Sequence, residues 1–400
     1  MANEINKKVT EAIHSHAGKS TNEKLAEQKK QWSPLFVMLN WPEITDRREA
    51  DNEIKEQSAR LMRALADFKL NAKIVNVSRG PSVSRFELEL GSGTTVSYVA
   101  GLTEDVAVRL GVPGIRVEAP VPGKAVIGLE VPNIKRWQVS LLEMVRCDEV
   151  RNNTSKLCVG LGRDTEGKIV SINLAEMPHL LAAGMRASDI TSFINTVLAG
   201  LLFKAIPDEV KLLIVDNMAE RLDRYNKIPH LFRSVITNTK EAVSSLEWAV
   251  DVMKTRYCRF TDKRVCNIES YNAVATKKLP YIVIVVSELY WLMKEVRTEV
   301  EELIYALSQK AAACGIHMVL ATQSLSADVI TDIIRMSIPS RIAFVVSSRE
   351  DSRTVLYRSG AEKLLGKGDM LYYPADAMNP LRVQGPTVSD EEMSLVLKVE

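Results

Sequence analysis

Cysteine, histidine and excess charge are all scarce in this chain. Its 400 residues include five histidines and five cysteines, Cys147, Cys158, Cys258, Cys266 and Cys314. No two cysteines form a CxxC pair and the histidines do not cluster with them, which argues against a structural or catalytic zinc site. An odd cysteine count suits a reducing compartment. The opening MANEINKKVTEAIHSHAGKS holds no apolar core of a secretory signal, so a cytoplasmic setting is expected. Long hydrophobic runs are missing too. The most apolar stretch, Leu279 to Met293, is interrupted by Ser287 and Glu288 and is too short and too polar to span a bilayer. The formal net charge is only +2. That excludes a coat of basic residues but leaves room for a local surface facing nucleic acid.

What is present is ordinary globular material, 46% apolar and 26% charged, in a length that suggests two or three domains. Residues 1–45 read as a polar lead-in followed by the apolar, proline-bearing docking segment Trp32–Pro42. Residues 46–131 read as a small α/β domain. A helix from about Thr45 to Phe68 places Leu61, Leu65 and Phe68 on one face. Two strand-like runs then flank the turn signal Arg79-Gly80-Pro81. In the second run Phe86, Leu88 and Leu90 alternate with Arg85, Glu87 and Glu89, the pattern of a strand buried on one face.

Residues 132–386 change character. Short apolar runs at 179–184, 210–216, 281–286, 316–322 and 341–346 alternate with amphipathic helices. One helix carries Val243, Leu246, Val250, Met253 and Tyr257; another carries Val300, Leu303, Ile304, Leu307 and Ala311. Strands buried on both faces and separated by helices predict a mostly parallel, doubly wound α/β sheet. Residues 387–400 read as a tail.

In such a sheet the first strand-to-helix turn is the default phosphate site, because backbone amides and the positive helix end favour an anion there. The turn here is Gly184 to Thr191, GMRASDIT, leading into a helix expected at Ser192–Lys204. A working phosphate loop reads G-x-x-x-x-G-K-[ST]. Gly184 and Thr191 fit the spacing. Asp189 stands in place of the second glycine and Ile190 in place of the lysine, whose charge-assisted contact is worth roughly 1.5–3 kcal/mol. Asp189 also sets a carboxylate beside the phosphate position. Arg186 is open between supplying positive charge from another angle and being a solvated turn residue. Gly18-Lys19-Ser20-Thr21 resembles the end of such a loop, but Ile13 stands at the first glycine position and no strand precedes it.

A second nucleotide device fails in parallel. The strand YIVIVV should end in an aspartate that holds Mg²⁺, followed by a glutamate that polarises water. It ends in Ser287-Glu288, so the metal-holding aspartate is replaced and the glutamate kept. No metal site is expected there.

The blocks SRGPSVSRFELEL, APVPGKAVIGLEVPN, PHLLAAG, PDEVKLLIVD, LPYIVIVVSEL, GIHMVLATQ, IPSRIAFVVSSREDSRTVL and GAEKLLGKGDMLYYP resemble, in order and spacing, the motor of the FtsK/SpoIIIE DNA translocases over about Asn52 to Glu391. The resemblance implies a RecA-like P-loop domain preceded by the family's small α domain. It implies a hexameric ring on double-stranded DNA, with a role in chromosome segregation. It assigns Thr191 to the loop hydroxyl, Ser188 and Gly184 to the nucleotide loop, Glu288 to the catalytic acid and Gln323 to the polar sensor. Arg341 and Arg353 are its candidates for inter-subunit arginines, each equally readable as an intrachain contact. The family's GATGSGKS, DEL and DPK read here as GMRASDIT, Ser287-Glu288-Leu289 and Asp216-Asn217-Met218. Neither the family's membrane-spanning region nor its winged-helix domain is expected.

These readings leave three functions. The first is an ATPase-deficient family member, without ATP or Mg²⁺, that forms a DNA-associated ring or regulates and assembles with an active translocase. The second is an active ATP-dependent translocase with a non-standard loop, using both cofactors. The third is a protein-binding scaffold that has left DNA. Tyr290-Trp291 could fill the nucleotide pocket, meet a partner or pack in the core; Cys314 and His317 read as packing.

Overall fold

The computed structural model describes residues 47–397, apart from Pro122, Pro178 and 218–221. The polar lead-in, the Trp32–Pro42 segment and the Gly18-Lys19-Ser20-Thr21 decoy lie outside the described residues.

The chain begins with helix α1 (Arg47–Asp67). Leu61 and Leu65 fall one turn apart and are buried. The helix stops where Lys69 turns left-handed, at φ 55°, and the Leu70 amide reaches back to the Leu65 carbonyl at 3.0 Å. Phe68 sits just past the end and packs on the edge of the same core. Strands β1 (Ala72–Arg79), β2 (Val83–Leu90), β3 (Arg116–Glu118) and β4 (Ile127–Pro132) form an antiparallel sheet in the order β1-β2-β4-β3. Helices α2 (Val96–Gly101) and α3 (Thr103–Leu110) complete this unit. Its core joins α1 and α3 to Phe86, Leu88 and Leu129.

One expectation fails here. β2 is not buried on one face only. Arg85 is 6% exposed and Glu87 1%, because the charged face of the strand lies against the larger unit. Arg85 reaches Glu118 at 3.3 Å and Glu166 at 2.5 Å, and Lys124 closes on Glu87 at 2.7 Å. Alternation of charged and apolar residues says that two faces differ, not that one meets water.

The larger unit is a nine-stranded sheet in the order β6-β5-β13-β12-β11-β7-β10-β9-β8. β7 (His179–Ala183), β8 (Val210–Val215), β9 (Tyr281–Val286), β10 (Ile316–Thr322) and β11 (Ser340–Ala343) are parallel neighbours. β5 (Cys158–Asp164), β6 (Ile169–Asn173), β12 (Asp369–Tyr373) and β13 (Leu381–Gln384) extend it antiparallel. The apolar runs are explained by burial on both faces. Leu180 and Ala182 of β7 enter one core with β8 residues Leu212 and Ile214. Leu181 and Ala183 enter the other with Leu213 and Val215.

Helices α4 (Leu141–Arg146), α6 (Ala187–Lys204) and α12 (Asp390–Leu397) lie with the first core, and the short α5 (Asp148–Arg151) follows α4 with Val150 buried. Helices α7 (Thr239–Lys263), α8 (Ile268–Val274), α9 (Leu289–Lys310), α10 (Asp332–Ser337) and α11 (Arg349–Leu356) lie with the second. The stretch read as a tail thus carries a helix, α12, that buries Met393 and Val396. The C-terminal ends of β7 to β10 open at one edge, and they deliver residues 184–191, Asp216, Ser287-Glu288 and Thr322-Gln323 to a common place.

Candidate nucleotide site

The turn after β7 is much shorter than the sequence suggests. α6 starts at Ala187, not Ser192, with Arg186 as its cap residue. What should be an eight-residue cradle is three residues of turn, Gly184-Met185-Arg186, followed by helix. Asp189 falls at the third helical position, where a carboxylate complements the positive helix end. Four amides of the turn and first helical residues are engaged inside the protein. Gly184 donates to the Thr322 carbonyl at 3.2 Å and Met185 to the Val345 carbonyl at 3.1 Å; Asp189 and Ile190 both donate to the Arg186 carbonyl, at 3.2 and 3.4 Å.

The side chains follow. Ile190 is 2% exposed and belongs to the sheet core. Asp189 is 3% exposed and turns away from solvent, accepting the Gly368 amide on Oδ1 at 3.1 Å. Burial pushes its carboxyl above the usual range, opposed by the Gly368 amide and by Arg186. The Thr191 hydroxyl donates back to the Ala187 carbonyl at 2.9 Å. Ser188 is exposed on the first turn. Arg186 is also exposed, and its guanidinium packs over Gly366, where a Cβ would lie 2.2 Å from Nη1. Gly184 is needed for packing: a Cβ there would lie 2.6 Å from Phe344 Cβ.

At the end of β9 the Ser287 hydroxyl donates to Asp216 Oδ1. The other oxygen of Asp216 accepts the Leu222 amide at 3.2 Å. Glu288 caps α9, accepting the Tyr290 amide at 3.0 Å. It also accepts the Thr322 hydroxyl at 2.6 Å and the Gln323 amide at 3.0 Å. Thr191, Asp216, Ser287, Glu288 and Gln323 nonetheless line one shallow pocket, with Ile190, Ile194 and Leu222 as its apolar side. Tyr290 and Trp291 do not fill it. Tyr290 is 42% exposed, with Lys294 Nζ 5.8 Å from its ring centre, and Trp291 packs on the second core.

The two arginine candidates separate. Arg341 is 3% exposed. Its guanidinium donates to the carbonyls of Ile338 at 3.1 Å, Val355 at 3.2 Å and Arg335, and stacks 4.4 Å from the Tyr357 ring. It is an internal brace. Arg353 is exposed on α11. Cys314 and His317 are buried, as packing requires.

Among the described residues, no group of three or more His, Cys, Asp or Glu could hold a metal ion, and no helix is long and apolar enough to cross a membrane. Residues 184–191 hold no lysine, and the strand β9 is followed by Ser287 and Glu288.

Sequence reasoning did not see the loop that covers the first turn of α6. Residues 364–369 hold Asp189 and Arg186 from above, and Asp369 is gripped by Arg382, at 3.0 and 2.6 Å. Gly366-Lys367-Gly368-Asp369 was the available signal: two glycines around one residue mark a chain that must turn sharply.

A mixed sheet of this order, with five parallel strands and a helix springing from β7 among them, defines a P-loop NTPase fold joined to a small α/β unit. The chain belongs to the FtsK/SpoIIIE family: that family's model matches residues 140–327, and the FtsK alpha domain matches residues 34–133. It is 44% identical over 374 residues to the DNA translocase FtsK of Caldanaerobacter subterraneus, covering 93% of this chain and 53% of that protein. It is 45% identical over 349 residues to the DNA translocase SftA of Bacillus subtilis, covering 86% and 37%. The chain therefore spans about half the length, or less, of these relatives. Among solved structures, the pCW3 conjugation coupling protein TcpA with ATPγS superposes with a TM-score of 0.59 at 19% identity, covering 86% of this chain and 99% of that one. The cytoplasmic domain of the secretion ATPase EccC of Thermomonospora curvata gives 0.53 at 20% identity, covering 65% and 32%. At such identities these two likenesses establish the fold alone.

Proposed function

We propose that this chain is a non-hydrolysing member of the FtsK/SpoIIIE family. It works in the cytoplasm with double-stranded DNA, as a ring of its own copies or as a regulatory or assembly subunit beside an active translocase. The observation that carries this reading is the closed first turn of α6. Ile190 sits in the core where a lysine should reach out, and Asp189 turns inward onto the Gly368 amide where the second glycine of a phosphate loop should stand. Ser287, bonded to Asp216, removes the metal-holding carboxylate from the neighbouring strand. Both sheet cores are complete around this altered site, which fits a scaffold kept for assembly.

A second reading is active translocation through a non-standard loop. It draws support from Thr191, Glu288 and Gln323 still lining one pocket and from the names of the relatives. Phosphate release by the purified chain, with and without linear duplex DNA, separates the two: the first expects none above background in either case. Retention on duplex DNA that weakens steeply with salt, as phosphate contacts do, supports the DNA role. Absence of retention at low salt moves the protein to a scaffold without DNA.

A further inference from the structure

We propose that the loop Leu364–Asp369 is a clasp that couples the seating of the small antiparallel unit to the closed first turn of α6, with Asp189 as its latch. The loop is conformationally costly. Gly366, Lys367 and Gly368 all lie in the left-handed region, at φ 71°, 55° and 85°, and Lys367 has a Cβ that disfavours it there. A segment in such a conformation persists only when its surroundings hold it. Here it is held from two sides.

On one side stands α6. Asp189 Oδ1 accepts the Gly368 amide at 3.1 Å. The Arg186 guanidinium lies over Gly366. On the other side stands the small unit. Asp369 accepts the Leu365 amide at 2.8 Å and a two-pronged contact from Arg382. Arg382 passes on to Glu130 of β4 at 2.8 Å, and Glu130 is held from within its own sheet by Arg116 at 2.5 Å. A second link runs through Gln384. It accepts the Ser82 hydroxyl at the β1–β2 turn and donates to the Lys367 carbonyl at 2.6 Å. The side chains of Glu130, Arg382 and Asp369 are 1%, 3% and 1% exposed.

Charges buried this deeply tolerate few arrangements, because any one left unpaired is strongly penalised. The loop therefore has one low-energy position, and that position serves both neighbours. Unseating the small unit releases Asp369 and Gln384, and with them the strained residues that close over Asp189. Opening α6 at Asp189 loosens the same residues and, through them, the seat of the small unit. Since the coupling is a free energy, it acts equally in both directions.

The test is hydrogen–deuterium exchange on the full chain without nucleotide, so that its result does not depend on whether ATP binds. Asp189→Ala removes the latch directly, so faster exchange at Gly368 alone decides nothing in its favour. The informative amides are those of the β1–β2 turn, residues 80 and 82–84. The clasp predicts that they exchange about fivefold faster or more in Asp189→Ala, the lower end of typical coupling. In return, Glu130→Gln speeds exchange at residues 187–191 and 364–369. Ser82→Ala, which deletes the buried bond from Ser82 to Gln384 and leaves every buried charge in place, does the same to a smaller degree and serves if Glu130→Gln does not fold. Unchanged exchange at 80 and 82–84 in Asp189→Ala, or at 187–191 in Ser82→Ala, overturns the proposal.

Discussion

Asp189 shows how one substitution redirects a helix end. The N-terminal amides of a helix attract an anion, and here the carboxyl at the third helical position is turned inward onto the Gly368 amide. The identities of Asp189 and Ile190 were legible in the sequence as departures from a phosphate loop. The early start of α6 was not, because the eight-residue spacing of the motif was carried over onto residues that prefer helix; Ala187, Ser188 and Asp189 are themselves a good first turn. The same scale governs acid sensitivity. His179 is 1% exposed, and its Nδ1 accepts the Met318 amide at 3.0 Å. Burial first, and the neighbouring His317 second, bring it from 6.5 down to about 3. The unfolded chain takes up this proton below pH 6.5 while the folded chain resists until about pH 3. Its contribution to stability is therefore complete above the upper value and is lost as pH falls through that window. Urea unfolding at pH 7 and pH 4.5 should show a larger loss for the native chain than for His179→Gln. Equal losses would remove His179 from the account.

At the scale of elements, the parallel strands were readable because burial on both faces leaves continuous apolar runs. β5 and β6 were not, since Cys158–Asp164 interrupts its apolar residues with Gly160 and Gly162. Those glycines answer to distant neighbours. A Cβ at Gly160 would lie 2.6 Å from the Met144 carbonyl oxygen, and one at Gly162 would lie 2.2 Å from that of Gln384. Gly184 belongs with them. Gly184→Ala should cost about 1–3 kcal/mol through overpacking against Phe344, read by chemical denaturation, even though no nucleotide is involved. No measurable cost would return Gly184 to a purely ligand-binding role. The first turn of α6 makes a sharper prediction. The double change Asp189→Gly and Ile190→Lys removes the carboxyl that accepts the Gly368 amide and puts a lysine where Ile190 is buried. It should destabilise the free chain by roughly 3 kcal/mol. A neutral result would mean that the turn already opens in solution.

At the scale of the molecule, the charged face of β2 and the cluster Glu130–Arg382–Asp369 join the two units through buried ion pairs. Nothing in the local pattern announced this, because Glu130 and Arg382 lie 252 positions apart and each alone reads as an ordinary polar strand residue. Burial pushes the Glu130 carboxyl up, but Arg116 and Arg382 together hold it below its usual range. Glu130→Gln should cost about 3 kcal/mol or more, and domain-wise unfolding should replace a single transition. A preserved single transition with an unchanged midpoint would show that the interface does not bind the units into one cooperative body.

The most direct test of the central claim is calorimetric titration of the native chain with Mg²⁺–ATP, with the Asp189→Gly, Ile190→Lys chain alongside. The closed turn predicts no saturable heat from the native chain at nucleotide concentrations well above those that fill working P-loop sites. Saturable binding by the native chain would contradict it: the first turn of α6 would then open for ATP, and hydrolysis with DNA translocation would become the leading account.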